Sequence, residues 1–424
     1  MPAIFSELEA RGLIFQTTNP DAIKRLLDGT TPVTVYAGFD PTAPDLHVGN
    51  LLGLVTLERL RRAGHRILPM VGGATGFIGD PGGKSAERNL LEARDIADNS
   101  KKISNFLQKF FGRDVKVINN YDWWKKISAL DYLREVGKHF TLGYLLDKES
   151  VRSRMENGIS ITEASYMLLQ AYDFWHLFKN HNCTLQVGGA DQWGNITAGV
   201  DYIRRREQTE VYGLTTPLIT TAEGKKFGKS EGNAVWLNPE LTHPYSFYQF
   251  WFNTPDDQVV ALLKQFTFLT LKEIEVLAAE VKAAPEKRAA QKKLASEMTA
   301  MIHSNQIAAT AAKVAEALFG GREEDLKQFC DRKNGAWLAA SMPGTTVKAG
   351  SGKNMPLAEV LVLSGLAGSK RQAREDIGAG AIYLNGQRVT DAELILNKAA
   401  GYNGSPYTLL RKGKKTYHLL TWTN

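Results

Sequence analysis

The sequence predicts an α/β protein. Its main domain is a parallel sheet with the site at the strand ends, followed by a helical segment and a small α+β C-terminal module. Three observations predict this. Residues 33–40 (VTVYAGFD) form a short strand-like run ending in Gly and Asp, residues 51–63 repeat apolar positions at helical spacing, and a second run at 67–71 leads into the glycine-rich GGATGFIGDPGGK of residues 72–84. Strand, loop, helix, strand and glycine-rich loop is the order a parallel sheet requires, because parallel neighbours need a crossover and their ends then line a crevice.

Further strands are expected at 115–118 (VKVI) and 184–187 (TLQV), with helices over 127–146 and 162–179, and this first domain ends near residue 232. From about 256 to 320 the pattern changes. VVALLKQF, LKEIEVLAAEVKAA and QIAATAAKVAEALFG are periodic at 3.6 residues and almost free of glycine, which predicts a helical domain over 233–340. Residues 341–355 belong to a Gly, Ser and Pro run with few large apolar side chains and read as a linker. Beyond them, PLAEVLVLSG and SKRQAREDIGAG predict two short helices, and AIYLNGQRV a hairpin turned by Asn385-Gly386, so 356–424 is a small α+β domain.

Composition excludes several classes. With 424 residues, 43% hydrophobic and 23% charged, the chain is neither disordered nor fibrous. Its two cysteines, Cys183 and Cys330, form no CxxC pair, which argues against zinc ribbons and disulfide scaffolds and for a reducing, cytoplasmic compartment. The N-terminal apolar pattern is interrupted by Glu7, Glu9 and Arg11, and no stretch approaches a membrane-spanning length, so no membrane association is expected. Of the net charge of +7, +5 lies between Lys353 and Asn424, which points to a polyanionic partner for the last domain.

Three motifs carry chemistry. GDPGGKS at 79–85 is not a phosphate-binding P-loop, since Ile78 stands where the first Gly would be; it is a turn whose amides and Asp80 suit a zwitterionic ligand. His47-Val48-Gly49-Asn50 opens a helix just after a strand-turn, where the helix N-terminus favours phosphate and Gly49 admits a flat base. Lys226-Phe227-Gly228-Lys229-Ser230 supplies two lysines and a hydroxyl, as a clamp on a triphosphate requires.

HVGN followed by KFGKS resembles the HIGH and KMSKS signatures of class I aminoacyl-tRNA synthetases. The phrases YAGFDPTAPDLHVGN, GGATGFIGDP, YMLLQAYDF and GGADQWGNI are similar to those of the tyrosyl-tRNA synthetase family. The resemblance runs over nearly the whole chain. It implies a Rossmann-like catalytic domain with a dimer-forming insertion at about 119–160, an anticodon-binding helical domain and an S4-like RNA-binding tail.

By that resemblance Tyr36 and Asp173 read the tyrosine hydroxyl, Asp80, Tyr166 and Gln170 hold its α-ammonium, and Gln186 lies near its carboxylate. Tyr166, Gln170 and Asp173, spaced i, i+4, i+7, share one helix face. For ATP the resemblance implies Gly38, Asp40, Thr42, His47, Gly49 and Asn50 at the nucleotide, and Gly189, Asp191 and Gln192 towards the ribose. Lys84, Arg88, Lys226, Lys229 and Ser230 would meet the pyrophosphate. The catalytic set is His47, Asn50, Lys226, Lys229 and Ser230. Magnesium is expected to arrive with ATP, with no dedicated protein metal site. In the tail, Lys370, Arg371 and Arg374 on a helix, and Arg411, Lys412, Lys414 and Lys415 in a turn, are the expected contacts to a tyrosine tRNA.

The chain departs from the family at Asn50, where a second His is usual, at Gly53, a frequent Thr, and at Ala37, a frequent Cys. Trp123, Trp124 and Tyr132 sit at apolar helical positions of 121–146, where a homodimer interface and a buried core both account for them. Two other functions fit the same residues: a tryptophan-specific relative, opposed by the Tyr36 and Asp173 pair, and a catalytically impaired RNA-binding protein, opposed by the intact KFGKS.

Overall fold

The computed structural model describes residues 3–81, 91–152, 158–219, 229–230, 233–320, 335–348, 354–401, 404–413 and 416–423. They divide into two compact units, Met1–Leu241 with Pro255–Ala290, and Thr242–Thr254 with Gln291–Asn424.

The first unit is built on six strands: β1 Gln16–Thr17, β2 Thr34–Phe39, β3 Arg66–Val71, β4 Ile118–Asn119, β5 Cys183–Gly189 and β6 Tyr212–Thr216. Their order is β1-β6-β5-β2-β3-β4, with β1 antiparallel and every other neighbour parallel. The chain leaves β2 towards β3 on one side, while β5 leads to β6 on the other, so the β2/β5 boundary is the topological switch point. Ligands of open α/β sheets bind beyond the strand ends there.

The helices follow the sequence's apolar spacing. They are α1 Ile4–Ala10, α2 Pro20–Leu27, α3 Val48–Arg62, α4 Ala93–Phe111, α5 Tyr121–Trp124, α6 Ala129–Glu135, α7 Leu142–Leu146, α8 Glu149–Arg152, α9 Ile161–His181 and α10 Trp193–Glu207. In α3 Leu51, Leu54, Val55, Leu57 and Leu60 are all buried. The helix expected over 127–146 is broken into α6, a 3₁₀ turn at Gly137–His139 and α7. Ser128 and Thr141 each cap a new start by accepting the backbone N–H three residues on. The strand expected at 115–118 is shorter and shifted to β4, and that at 184–187 lies inside β5.

Residues 229–230 form β7, antiparallel to β8, Asn233–Ala234. The helical region does not follow the expected boundaries. After α11 (Pro244–Phe252), the helices α12 (Asp256–Phe266) and α13 (Leu271–Ala283) belong to the first unit, whereas α11 and the bulk of α14 (Ala289–Ile302) and α15 (Asn305–Gly320) belong to the second.

Two arginines explain where α12 goes. A helix end leaves carbonyls without partners, and Arg11 donates to the carbonyls of Lys264 (3.1 Å) and Leu269 (2.7 Å) while Arg59 donates to that of Thr267. Glu7 bridges both guanidinium groups, at 2.8 Å to Arg11 and 3.2 Å to Arg59. Phe268 lies under Arg62 at 3.7 Å. Burial and the Arg11 charge together pull the Arg59 pKa down to about 9.

In the second unit the stretch expected as a linker contains β9, Gly344–Lys348, whose Thr-Thr-Val suits an extended chain. It joins the sheet β12-β11-β14-β15-β9 by parallel pairing with β15. The strands are β11 Ile382–Leu384, β12 Gln387–Val389, β14 Tyr407–Lys412 and β15 Thr416–Thr423, while β10 (Met355–Pro356) pairs with β13 (Ile395–Leu396). The hairpin turns at Asn385 (φ 46°) and Gly386 (φ 86°), the two positive angles that a type I′ turn needs. Helices Leu357–Leu363 and Lys370–Gly378 pack their Leu361, Ala373 and Ile377 against this sheet.

Replacing Arg59 with Met leaves the Thr267 carbonyl without its donor. Urea unfolding of the first unit, followed by tryptophan fluorescence, is expected to show a loss of about 2–3 kcal/mol.

Candidate active site

The switch point brings together side chains from β2, β5, α9 and the loop after β3. Tyr36 on β2 and Gln186 on β5 are register partners in neighbouring strands, so both point to one face. Both are buried, and among the described residues neither the Tyr36 hydroxyl nor Gln186 Oε1 has a hydrogen-bond partner. Buried polar atoms in folded proteins are nearly always paired, so two on one face mark a place where a ligand supplies the missing bonds.

Asp173 faces Tyr36 from α9 and is fully buried. Its Oδ1 accepts the indole N–H groups of Trp123 (2.8 Å) and Trp124 (2.7 Å), and its Oδ2 accepts from Asn120 Nδ2 (2.9 Å). Burial pushes the carboxyl up to about 7, and these three donors oppose the shift. Tyr36, against Phe174 with ring centroids 5.3 Å apart, is raised well above the usual phenol range by burial first and by the Asp173 and Cys183 charges next.

Tyr166, one face of α9 further along, donates its hydroxyl to Asp40 Oδ2 at 2.7 Å. The other Asp40 oxygen accepts from Thr75 at 2.7 Å. Any side chain at Gly72 would occupy the position of the Asp40 carboxylate, so the glycine after β3 is what admits it. Asp80, from the glycine-rich turn, accepts from Gln192 and from Asn195 Nδ2 (3.5 Å). Burial, then Asp40 and Asp80, raise the Tyr166 pKa well above the usual phenol range. Carboxylates crowding a neutral phenol make a site that favours an ammonium group.

The phosphate side is led by α3. His47 is its N-cap: Nδ1 accepts the Gly49 N–H at 2.9 Å, which puts the ring proton on Nε2. The His47 N–H in turn donates to Asn50 Oδ1 at 3.0 Å, so Asn50 completes a reciprocal cap. The chain after β8 passes beside it, with Trp236 bridged to His47 and its ring edge-on at 5.9 Å.

Of the expected residues, Tyr36, Asp40, Asp80, Tyr166, Gln170, Asp173, Gln186 and Gln192 lie in or beside this crevice and are buried or half-buried. Gly38 is the exposed residue next to the end of β2, Thr42 lies in the loop after it, and Gly189 and Asp191 close β5 and open the turn into α10. Lys229 and Ser230 form β7. Lys84, Arg88, Lys226, Lys414 and Lys415 lie outside the described residues. Arg411 and Lys412 belong to β14 and not to the turn, because strand pairing continues to Lys412 opposite Thr416. Among the described residues no three His, Cys, Asp or Glu side chains stand together as a metal site.

Sequence reasoning missed the supporting residues Asn120, Trp123, Trp124, Thr75 and Asn195. The Trp123-Trp124 pair was the available signal, since an indole N–H in a packed region needs an acceptor.

Comparison with known proteins identifies the family. Residues 28–320 match the family of class I tRNA synthetases (W and Y), and residues 336–420 match the tyrosine–tRNA ligase SYY-like C-terminal domain. A tyrosine–tRNA ligase of Geobacillus kaustophilus (strain HTA426) is 47% identical, covering 99% of each chain. Tyrosine–tRNA ligase 1 of Bacillus subtilis (strain 168) is 46% identical over the full length of both. The crystal structure of a C-terminally truncated mitochondrial tyrosyl-tRNA synthetase of Aspergillus nidulans superposes with a TM-score of 0.68 at 32% identity, over 75% of this chain and 95% of that one. No described helix is long and apolar enough to cross a membrane. With both parts of the chain matched and the identity running end to end, the chain belongs to the bacterial-type tyrosyl-tRNA synthetases, the class I tyrosine–tRNA ligases.

Proposed function

We propose that this chain activates L-tyrosine with ATP and transfers it to the 3′-terminal adenosine of a tyrosine tRNA, using the residues of the switch-point crevice. The observation that carries this reading is the buried Tyr36 hydroxyl, without a partner among the described residues and facing Asp173. A phenol satisfies both groups; phenylalanine would leave both without a partner. Asp80, Tyr166 and Gln170 take the α-ammonium, and Gln186 lies towards the carboxylate. That carboxylate attacks the α-phosphorus of ATP in line, the bond to pyrophosphate breaks, and tyrosyl-adenylate forms. The 2′-hydroxyl of the tRNA adenosine then attacks the acyl carbon and AMP leaves.

No residue needs to bond covalently to substrate, so the catalysis comes from positioning and charge. His47, Gly49 and Asn50 at the α3 N-terminus receive the nucleotide, with Gly38, Asp40, Thr42, Gly189, Asp191 and Gln192 around it. Lys84, Arg88, Lys226, Lys229 and Ser230 meet the departing pyrophosphate. Magnesium arrives with ATP and offsets phosphate charge. A cytoplasmic setting suits these substrates.

The exposed large apolar side chains Leu130, Leu133, Leu142 and Leu146 on α6 and α7, and Ile161 at the start of α9, support a homodimer through this region. In the tail, Lys370 is paired with Glu359, Lys412 with Asp376 at 2.7 Å, and Arg411 stacks on Tyr383 at 3.6 Å. Arg371 and Arg374, 89% and 58% exposed, pair at longer range with exposed acids, Glu375 at 3.6 Å and Glu393 at 3.9 Å, and are the first contacts to expect for a tRNA backbone.

Tyrosine-dependent exchange of labelled pyrophosphate into ATP, with phenylalanine and tryptophan as controls, tests the activation step; exchange with tyrosine alone is expected. Tyr36→Phe is expected to lower the preference for tyrosine over phenylalanine by about 10- to 100-fold, with phenylalanine exchange little changed. Asp173→Asn separates recognition from stability. The folded protein holds this proton up to about pH 7 and an unfolded chain only to about 4, so the carboxylate's cost grows through that window and is full above it. The variant is therefore expected to lose tyrosine exchange yet gain in Tm at pH 8, and to gain less at pH 5. Arg371→Glu with Arg374→Glu is expected to weaken tRNA binding and flatten its salt dependence by about 0.7–0.9 per lost contact, leaving exchange intact.

A further inference from the structure

The donors behind Asp173 come from one short helix. Trp123 and Trp124 are the last two residues of α5, yet both indole N–H groups end on the same oxygen of Asp173, at 2.8 and 2.7 Å. Successive helical residues point about 100° apart, so this convergence needs each ring held separately. Trp123 stacks on His176 at 4.2 Å and an interplanar angle of 16°, and Trp124 packs between Tyr172 (4.9 Å) and Tyr132 (5.9 Å). Tyr172 and His176 flank Asp173 on α9. The helix that carries the carboxylate thus also carries the clamps that aim its donors.

A carboxylate offers about four acceptor positions. Two on Oδ1 are taken by indoles and one on Oδ2 by Asn120, which leaves Oδ2 as the oxygen open to a further donor. We propose that Trp124 is a positioning residue for tyrosine recognition. Its indole N–H fills Oδ1 beside that of Trp123, holds the buried Asp173 as a carboxylate and directs the substrate hydroxyl to Oδ2. This rests on the reading of Asp173 as acceptor of the tyrosine hydroxyl.

The test compares Trp124→Phe with Trp175→Phe. Trp175 is a neighbouring indole on α9 whose N–H goes instead to Glu207 at 2.7 Å, so its variant loses the same group without touching Asp173. In tyrosine-dependent exchange, Trp124→Phe is expected to raise the KM for tyrosine about ten-fold with kcat little changed. Its preference over phenylalanine should fall by the same factor. Losing a donor to the charged form raises the carboxyl's pKa, so the pH below which KM climbs moves upward in Trp124→Phe and stays in place in Trp175→Phe.

In the unmodified protein, labelled with ¹⁵N-tryptophan, two of the eight indole N–H resonances are expected to titrate together at that same pH. This readout does not depend on any variant folding. Equal behaviour of the two variants, or a single titrating indole, overturns the proposal. If the unmodified chain shows no preference for tyrosine over phenylalanine, the reading of Asp173 falls and takes the proposal with it. A preference that persists unchanged in Trp124→Phe removes the proposal alone.

Discussion

A carboxylate cut off from water has to be held by donors or give up its charge, and Asp173 is such a carboxylate. Around it the first unit is arranged in a definite way: α9 supplies the acid, α5 supplies two indoles, and Asn120 after β4 supplies an amide. The same Asn120 amide nitrogen lies 3.2 Å from the Thr75 hydroxyl, which itself donates to Asp40, and Asp40 accepts from Tyr166 back on α9. One polar network therefore ties the glycine-rich turn, the end of β4 and the middle of α9 into a single framework. Within such a network a change at one member alters the bonding of the next.

That network also shows why the site was only partly legible in the sequence. Tyr166, Gln170 and Asp173 were readable as one helix face because their spacing is local, and α9 holds them as expected. Tyr36 and Gln186 came only through resemblance. Their register pairing depends on β2 and β5 lying side by side, a neighbourhood with nearly 150 residues between the strands. The two tryptophans were visible as residues but not as donors. An indole in an apolar pattern looks the same whether its N–H meets a backbone carbonyl or a carboxylate fifty positions away.

The fold was legible to a similar depth and for similar reasons. Hydrophobic period and glycine placement revealed a parallel sheet, helical regions and the Asn385-Gly386 hairpin, all set by neighbouring residues. They did not reveal that α12 and α13 join the first unit. That choice is made by Arg11, Arg59 and Glu7, charged residues that a composition profile assigns to the surface, yet whose guanidinium groups close off the carbonyls after α12. Nor did composition reveal β9. It lies in a Gly-, Ser- and Pro-containing stretch that reads as a linker until β15 offers an edge to pair with.

Selectivity and stability draw on the same atoms in opposite directions. A pocket that recognises a hydroxyl must keep donors and acceptors buried and incompletely bonded while it is empty, and each such atom makes the folded state less stable. In the proposed reading Tyr36, Gln186 and the raised carboxyl of Asp173 are those atoms. They are placed where a shift of position is hardest: on the two central strands of a parallel sheet and in the middle of a 21-residue helix packed against α10. A surface loop would relax and pair such groups with water or with one another. The rigid switch point holds them incompletely bonded and in register, which is what the proposed discrimination of a phenol from a benzene ring by one oxygen requires.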